Sequence, residues 1–414
     1  MHTQSKLSLL EEKQIIIGID IAKHTHYASI VEKKTGKIIK TGIKIENTRS
    51  DFEKFVGLLK RWKTNEIIIG MEPTGHYWKV INNWLAEKGY KTVLVNPYHV
   101  KLMKELHNNL NNKNDVKDSQ VIAKIVKDGN FLNVVTVEET YDELRGLSLC
   151  RNGLVKNLGR VKVQLRTLLD VFLPEYCECF KDPSRKTSLA LLKVFSIEGL
   201  TNNKHKTRKI NIICKVSRGA INRKKAELIV EILSNSIGLK SGINSAKGSL
   251  DFIIQQIRFY NEEKASVEQK LAIYLAQTVE AKYMLSMKGI GVVTLGAFLG
   301  YTGRLKKFSH PRQLLKFAGL LPVQNKSGKF EGKTKLSKRG NSKLRCVLYR
   351  IAVSLISNNT EMRNLYKHKI NALKKKKLVA LTSIAAKALK ILFKMGRNEL
   401  FYDKSIVEKS LVTT

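Results

Sequence analysis

Four carboxylates stand where one chain can gather them. Asp20 ends the apolar run Ile15-Ile16-Ile17-Gly18-Ile19, and Glu72 ends a second, Ile67-Ile68-Ile69-Gly70-Met71. Asp115 and Asp118 follow at i, i+3, a spacing that puts two side chains on one face of a helix. Carboxylates are seldom buried without a partner or a cation. Four around one point repel each other, and a set without His or Cys favours a hard cation, Mg²⁺ or Mn²⁺. Two such ions about 4 Å apart serve phosphodiester chemistry. For any one of these residues the plainer reading is a solvated acid closing a strand. Four together point to a metal site.

A second cluster has the opposite sign. Residues 301–350 hold 14 basic residues and one acidic, Glu331. Ser327-Gly328 lies among them, where cations can hold a phosphate and stabilise a developing alkoxide. A nucleophilic serine and an ordinary basic binding loop both fit at this point. Lys326, Lys329, Lys333, Lys335, Lys338, Arg339, Lys343 and Arg345 are the candidate phosphate contacts. Upstream, Lys288-Gly289-Ile290-Gly291 reads as a helix-hairpin-helix-like turn whose Gly289 and Gly291 let backbone N–H groups approach a phosphate. A plain interhelical turn fits the same residues. No GxxxxGK[ST] phosphate loop is present, and the Gly-rich loops of an actin-like ATPase or sugar kinase are missing too.

These residues need elements to hold them. Residues 15–21, 26–33 and 38–45 read as three consecutive strands, with Lys34-Thr35-Gly36 as a turn. A helix is expected over 51–62, with Ser50 as its N-cap, then strand 67–71, helix 75–88 and strand 93–95. That order predicts an α/β layer with a mixed sheet. From 136 to 175, Leu144, Leu147, Leu154, Leu158, Val161, Leu165, Leu168 and Phe172 form a heptad with Arg151 as its one polar break. A second heptad is expected from Ile253 to Leu285. The two helices pack on each other or across a dimer. Residues 184–248, between them, read as a small basic helical insert. A long apolar helix is expected over 378–395. The domains expected are 1–135, 136–285 and 286–414.

Composition narrows the partners. The 414 residues carry a net charge of +40, of which 1–135 contributes 22 basic and 14 acidic residues, a net of +8. The other +32 lies behind the acidic cluster, and a polyanion is the simplest reason for it. Five scattered cysteines, at 150, 177, 179, 214 and 346, suit a reducing cytosol and no structural zinc. No apolar run approaches the roughly 18 residues of a membrane span, so no membrane association is expected.

With both halves in this order, the chain resembles the insertion-sequence-110 family of transposases, kin of the Piv and MooV DNA invertases. The residues that carry the resemblance are Gly18-Ile19-Asp20-Ile21-Ala22-Lys23, Glu72-Pro73-Thr74-Gly75 and Asp115-x-x-Asp118. At the C-terminal end they are Gly319-Leu320-x-Pro322, Ser327-Gly328 and Ser337-Lys338-Arg339-Gly340-Asn341. The resemblance implies a RuvC-like (ribonuclease H fold) N-terminal domain, a coiled-coil segment and a mainly α C-terminal domain. It implies RNA-guided cutting and rejoining of donor and target DNA. Asp20, Glu72, Asp115 and Asp118 would hold metal, and Ser327 would form a phosphoserine link, with Ser337 the second candidate. It further implies a structured guide RNA, a dimer or tetramer with shared sites, and a cytoplasmic, nucleoid-associated protein. Asn114 and Val116 depart from the Thr and Arg that often flank the first Asp of that helix. The rival readings are a Holliday-junction resolvase-like nuclease that uses water, and a non-catalytic nucleic-acid-binding protein.

Overall fold

The structure, a computed structural model, describes residues 9–73, 75–107, 115–134, 138–202, 204–323, 326–327, 330–331 and 335–405. Two compact units divide the chain. One holds residues 1–139 with 306–317, the other 140–305 with 318–414.

The first unit is built on a six-stranded mixed sheet in the order β3-β2-β1-β4-β5-β6. Its strands are β1 (Ile15–Asp20), β2 (Thr25–Glu32), β3 (Ile38–Glu46), β4 (Ile67–Met71), β5 (Lys91–Val95) and β6 (Phe131–Val134). β1, β2 and β3 pair antiparallel, while β4 joins β1, and β5 joins β4, in parallel. β6, which the strand pattern does not anticipate, closes the edge antiparallel to β5.

Alternation along β1 gives the sheet two buried faces. Ile15, Ile17 and Ile19 pack with Phe52, Phe55 and Leu59 of α1 (Arg49–Leu59) and with Ile81 and Leu85 of α2 (Trp78–Glu87). Ile16 packs on the other face with Ile68, Val93 and Val95, under Ile122 and Val126 of α4 (Asp115–Lys127). Val100 of α3 (Pro97–His107) joins that second cluster. The cap of α1 is Thr48 rather than Ser50, because the helix begins two residues earlier than the apolar pattern. The Thr48 side chain accepts from the Asp51 N–H.

The second unit is helical apart from short strands. α5 (Glu139–Phe172, entering the unit at Thr140) and α9 (Ile243–Ala276) are its two long helices. Leu158, Val161, Leu165 and Leu169 of α5 share a core with Leu250, Ile253, Ile254 and Ile257 of α9. α6 (Lys186–Thr201), α7 (Lys206–Val216) and α8 (Arg223–Ser234) form the basic insert and close the same core. The expected second heptad stops early. α9 ends at Ala276, where the Thr278 hydroxyl donates to the Leu275 carbonyl, and residues 281–285 form a separate short helix.

α10 (Val292–Thr302) and α11 (Ser342–Asn358) pack together, and α12 (Thr360–Asn371) and α13 (Lys377–Asn398) pack on α11. All five cysteines are free thiols. Among the described residues no helix is long and apolar enough to cross a membrane.

Candidate active site

Parallel pairing explains how two carboxylates meet. Ile19 of β1 lies beside Met71 of β4, so Asp20, the last residue of β1, and Glu72, the residue after β4, stand at the ends of neighbouring strands. Both strands carry the same five-residue pattern, Ile-x-Gly-x-acid, at 16–20 and 68–72. A period of two puts Ile16, Gly18 and Asp20 on the α4 face, together with Ile68, Gly70 and Glu72. The acids therefore share a face with the helix that carries the other two.

The two glycines set the distance. A Cβ at Gly18 would lie 2.1 Å from the Ser119 carbonyl oxygen and 2.4 Å from the Ala123 backbone nitrogen. A Cβ at Gly70 would lie 2.3 Å from Val126 Cγ2. Only glycine lets α4 settle this close to β1 and β4. The buried Ser29 and Ser119 hydroxyls, 2.6 Å apart, tie the same helix to β2. The first turn of α4 then carries Asp115 and Asp118 to the strand ends, where the helix N-terminus favours negative charge.

One carboxylate oxygen each from Asp20, Asp115 and Asp118 can lie within 4.8 Å of one another. Burial pushes the Asp20 carboxyl up to about 7, and the charges of Asp118, Asp115 and Glu72 push the same way, against Lys104. Lys104 of α3 bonds Asp118 directly and brings a positive charge to the cluster. Such an arrangement fits a divalent cation. The donors are all hard oxygens, and their mutual repulsion is what a cation relieves.

His26 supports the turn that leaves Asp20. It is fully buried, and its Nδ1 accepts from the Ala22 N–H at 3.3 Å. Burial lowers its pKa and keeps the ring neutral, as that bond requires. Neither Lys104 nor His26 has a motif to announce it. The repeated Ile-x-Gly-x-acid pattern was the signal available for the close approach of α4.

The basic region lies in the second unit. Four short strands, β7 (Pro322–Val323), β8 (Lys326–Ser327), β9 (Phe330–Glu331) and β10 (Lys335–Leu336), pair as β7 with β10 and β8 with β9. Ser327 is thus in a strand, paired with Phe330. Lys329 and Lys333 lie outside the described residues. Lys335, Lys338, Arg339 and Lys343 are exposed. Arg345 donates to the carbonyls of Ala318 and Lys338, at 3.0 and 3.3 Å, and so ties down the loop before α11. Asn341 caps α11, its side chain accepting from the N–H groups of Lys343 and Leu344. Ser337 is half-buried, and its N–H donates to the Leu321 carbonyl.

Gly289 has φ +100° and sits against α11, where its carbonyl accepts from the Ser354 hydroxyl. Gly291 is the N-cap of α10.

Comparison with known proteins gives two family matches. A transposase model of the DEDD IS110 type matches residues 17–174, and one described as the transposase IS116/IS110/IS902 family matches 281–367. The chain is 26% identical over 359 residues to the transposase for insertion sequence element IS1111A of Coxiella burnetii, covering 85% of this chain and 81% of the relative. It is 21% identical over 391 residues to a probable family 20 transposase of Pseudomonas aeruginosa, covering 93% and 98%. A 123-residue stretch is 31% identical to the insertion element IS900 uncharacterized 42 kDa protein of Mycobacterium paratuberculosis, covering 30% and 31%.

Proposed function

The chain belongs to the IS116/IS110/IS902 family and is a DNA transposase of an insertion sequence, and from that premise we propose that its acidic cluster and Ser327 divide the work of cutting and rejoining DNA strands. The observation that carries the proposal is the meeting of Asp20, Asp115 and Asp118 within 4.8 Å, beside Glu72. A bound Mg²⁺ or Mn²⁺ supplies Lewis-acid polarisation of the scissile phosphate. Asp20, Asp115 and Asp118, with Glu72 at the neighbouring strand end, would hold that cation, and Lys104 offsets part of their repulsion.

The Ser327 hydroxyl attacks the phosphorus. An Oγ–P bond forms, the P–O3′ bond breaks, and the proton lost by the serine ends on the departing 3′-oxygen. Lys326, Lys329, Lys338 and Arg339 offer positive charge to the phosphate. The phosphoserine retains the bond energy, so the reverse attack by a 3′-hydroxyl rejoins a strand without a nucleotide.

We read the first unit as a RuvC-like ribonuclease H fold, from its antiparallel β1–β3, parallel β4 and β5, and acid-bearing α4. α5 and α9 are read as a coiled-coil segment within 136–285, and Gly289–Gly291 as a helix-hairpin-helix-like turn opening the domain 286–414. Donor and target DNA and a structured guide RNA are the polyanions that the +32 region suits. Val163 on α5 and Phe252, Phe259 and Ile273 on α9 are exposed, which suits a dimer or tetramer. Residence with the nucleoid follows from the DNA partner.

The test is denaturing electrophoresis of wild type and Ser327→Ala after incubation with labelled donor DNA, guide RNA and Mg²⁺, followed by peptide mapping. Wild type is expected to form a covalent adduct at Ser327, and Ser327→Ala to form none and cut nothing. An adduct that persists in the variant and maps to Ser337 moves the nucleophile there. Cleavage by wild type without any adduct hands the chemistry to water and to the resolvase-like reading.

A further inference from the structure

Arg151, the one polar break in the α5 heptad, opens on a second candidate site within the second unit. It lines a cavity of about 370 Å³ together with Ser148, Asn152, Val293, Thr294 and Arg350. The Arg151 guanidinium is matched by Glu268 of α9, at 2.6 Å. Arg350 of α11 is exposed, and its hydrogen bond to α5 is a long one, 3.4 Å to the Asn152 side-chain oxygen. The cavity therefore keeps a net positive charge.

Two further features point to an anion. The first is the start of α10. Gly291 supplies no side-chain cap. The first intrahelical bond to its carbonyl comes from Leu295, so the N–H groups of Val292, Val293 and Thr294 have no acceptor within the helix. Val293 and Thr294 line the cavity, and the helix dipole adds partial positive charge there. The second feature is independent. Ser148 is 2% exposed, lines the same cavity, and its hydroxyl has no hydrogen-bond partner among the described residues. A buried hydroxyl left unpaired is costly, and such a group in a native fold asks for a ligand.

We propose that this cavity is a socket for one backbone phosphate of a bound nucleic-acid strand, held by Arg350, the Ser148 hydroxyl and the first-turn N–H groups of α10. The proposal rests on the nucleic-acid reading above and adds a fixed grip built on α5, α10 and α11 rather than on the Ser327 strand or the carboxylates. Gly291 then has a direct use, since an uncapped helix start leaves its N–H groups to the phosphate. Arg151 is a positioning residue, fixed by Glu268 at the cavity wall.

The experiment uses full-length protein and two labelled probes, a short DNA duplex and an RNA hairpin, with anisotropy read across a salt series. Arg350→Gln should lower the slope of log affinity against log salt by about one phosphate. Ser148→Ala should weaken binding about fivefold, the worth of one hydrogen bond. The same variant should raise the melting temperature of the free protein, because it removes an unpaired buried hydroxyl. A loss confined to the DNA or to the RNA probe identifies the strand that the socket holds. Wild-type affinity and slope in both variants, or a lower melting temperature for Ser148→Ala, overturns the socket. A wild type that binds neither probe removes the nucleic-acid reading itself, which is a different result.

Discussion

Asp20 is the residue on which the site turns. Burial and three neighbouring acids raise its pKa from 3.8 to about 7, so in the metal-free protein it holds a proton that the unfolded chain gives up near pH 4. The native state then binds more protons than the unfolded state between those values, and stability falls as pH rises through that window. What a neutral Asp20 contributes is whole below the unfolded pKa and gone above about 7. Asp20→Asn keeps the neutral form at every pH. Without metal it should melt above wild type at about pH 8, and the gap should close towards about pH 5. With Mn²⁺ added at about pH 8, wild type should gain stability by linkage and Asp20→Asn should not. Thermal melts by circular dichroism with and without Mn²⁺ check both halves, and an equal metal shift in the two proteins would remove the metal site. At this scale the acids were legible because strand ends and helix starts show in a sequence. Lys104 was not, since a salt bridge across two helices leaves no spacing.

At the scale of elements, one approach sets the geometry. α4 lies so close to β1 that a single methyl at position 18 would overlap its backbone. Gly18→Ala must push the helix away, and with it the turn that holds Asp115 and Asp118. Overpacking of this kind costs about 1–3 kcal/mol. Urea unfolding should show that loss, and Mn²⁺ affinity should fall with it; a stable variant with unchanged affinity would mean that α4 moves without carrying the site. Leu271→Ala is a comparison away from the acids. Leu271 is fully buried on α9, where its side chain fills the space over Gly296 of α10. Truncation there should cost about 2–5 kcal/mol, whatever the oligomeric state, because that part of the seam is already buried within one chain. The heptads were legible as helices, but their ends were not. The pattern continues through Thr278, Ala281 and Leu285, while the helix stops at Ala276. β6 is not legible in the sequence, because four residues at a sheet edge carry too short an alternation.

Over the whole molecule, the four clustered carboxylates and most of the positive charge are kept apart in sequence. The carboxylates fall within residues 1–135, which carry +8, and the rest carries +32. Composition alone made that division legible, because charge needs no fold to be counted. Each phosphate neutralised on a duplex adds about −0.9 to the slope of log affinity against log salt, and about −0.7 on a single strand. A chain that uses even six of its cations this way should lose roughly a thousandfold in affinity between about 50 and 200 mM salt. Asp118→Asn removes a carboxylate proposed as a metal ligand, which also pairs with Lys104, and leaves the +32 region untouched. Its binding curve and salt slope should match wild type, or bind slightly tighter for the negative charge lost, while strand cleavage in Mg²⁺ disappears. Replacing Lys374, Lys375, Lys376 and Lys377 with Gln should do the reverse. Affinity and slope should fall, while cleavage at saturating DNA persists, because none of these exposed lysines is part of the acidic cluster. The measurement is anisotropy and cleavage on the same labelled DNA, at matched salt. If Asp118→Asn weakens binding as much as it weakens cleavage, the acidic cluster belongs to the grip, and the separation of the acids from the grip fails.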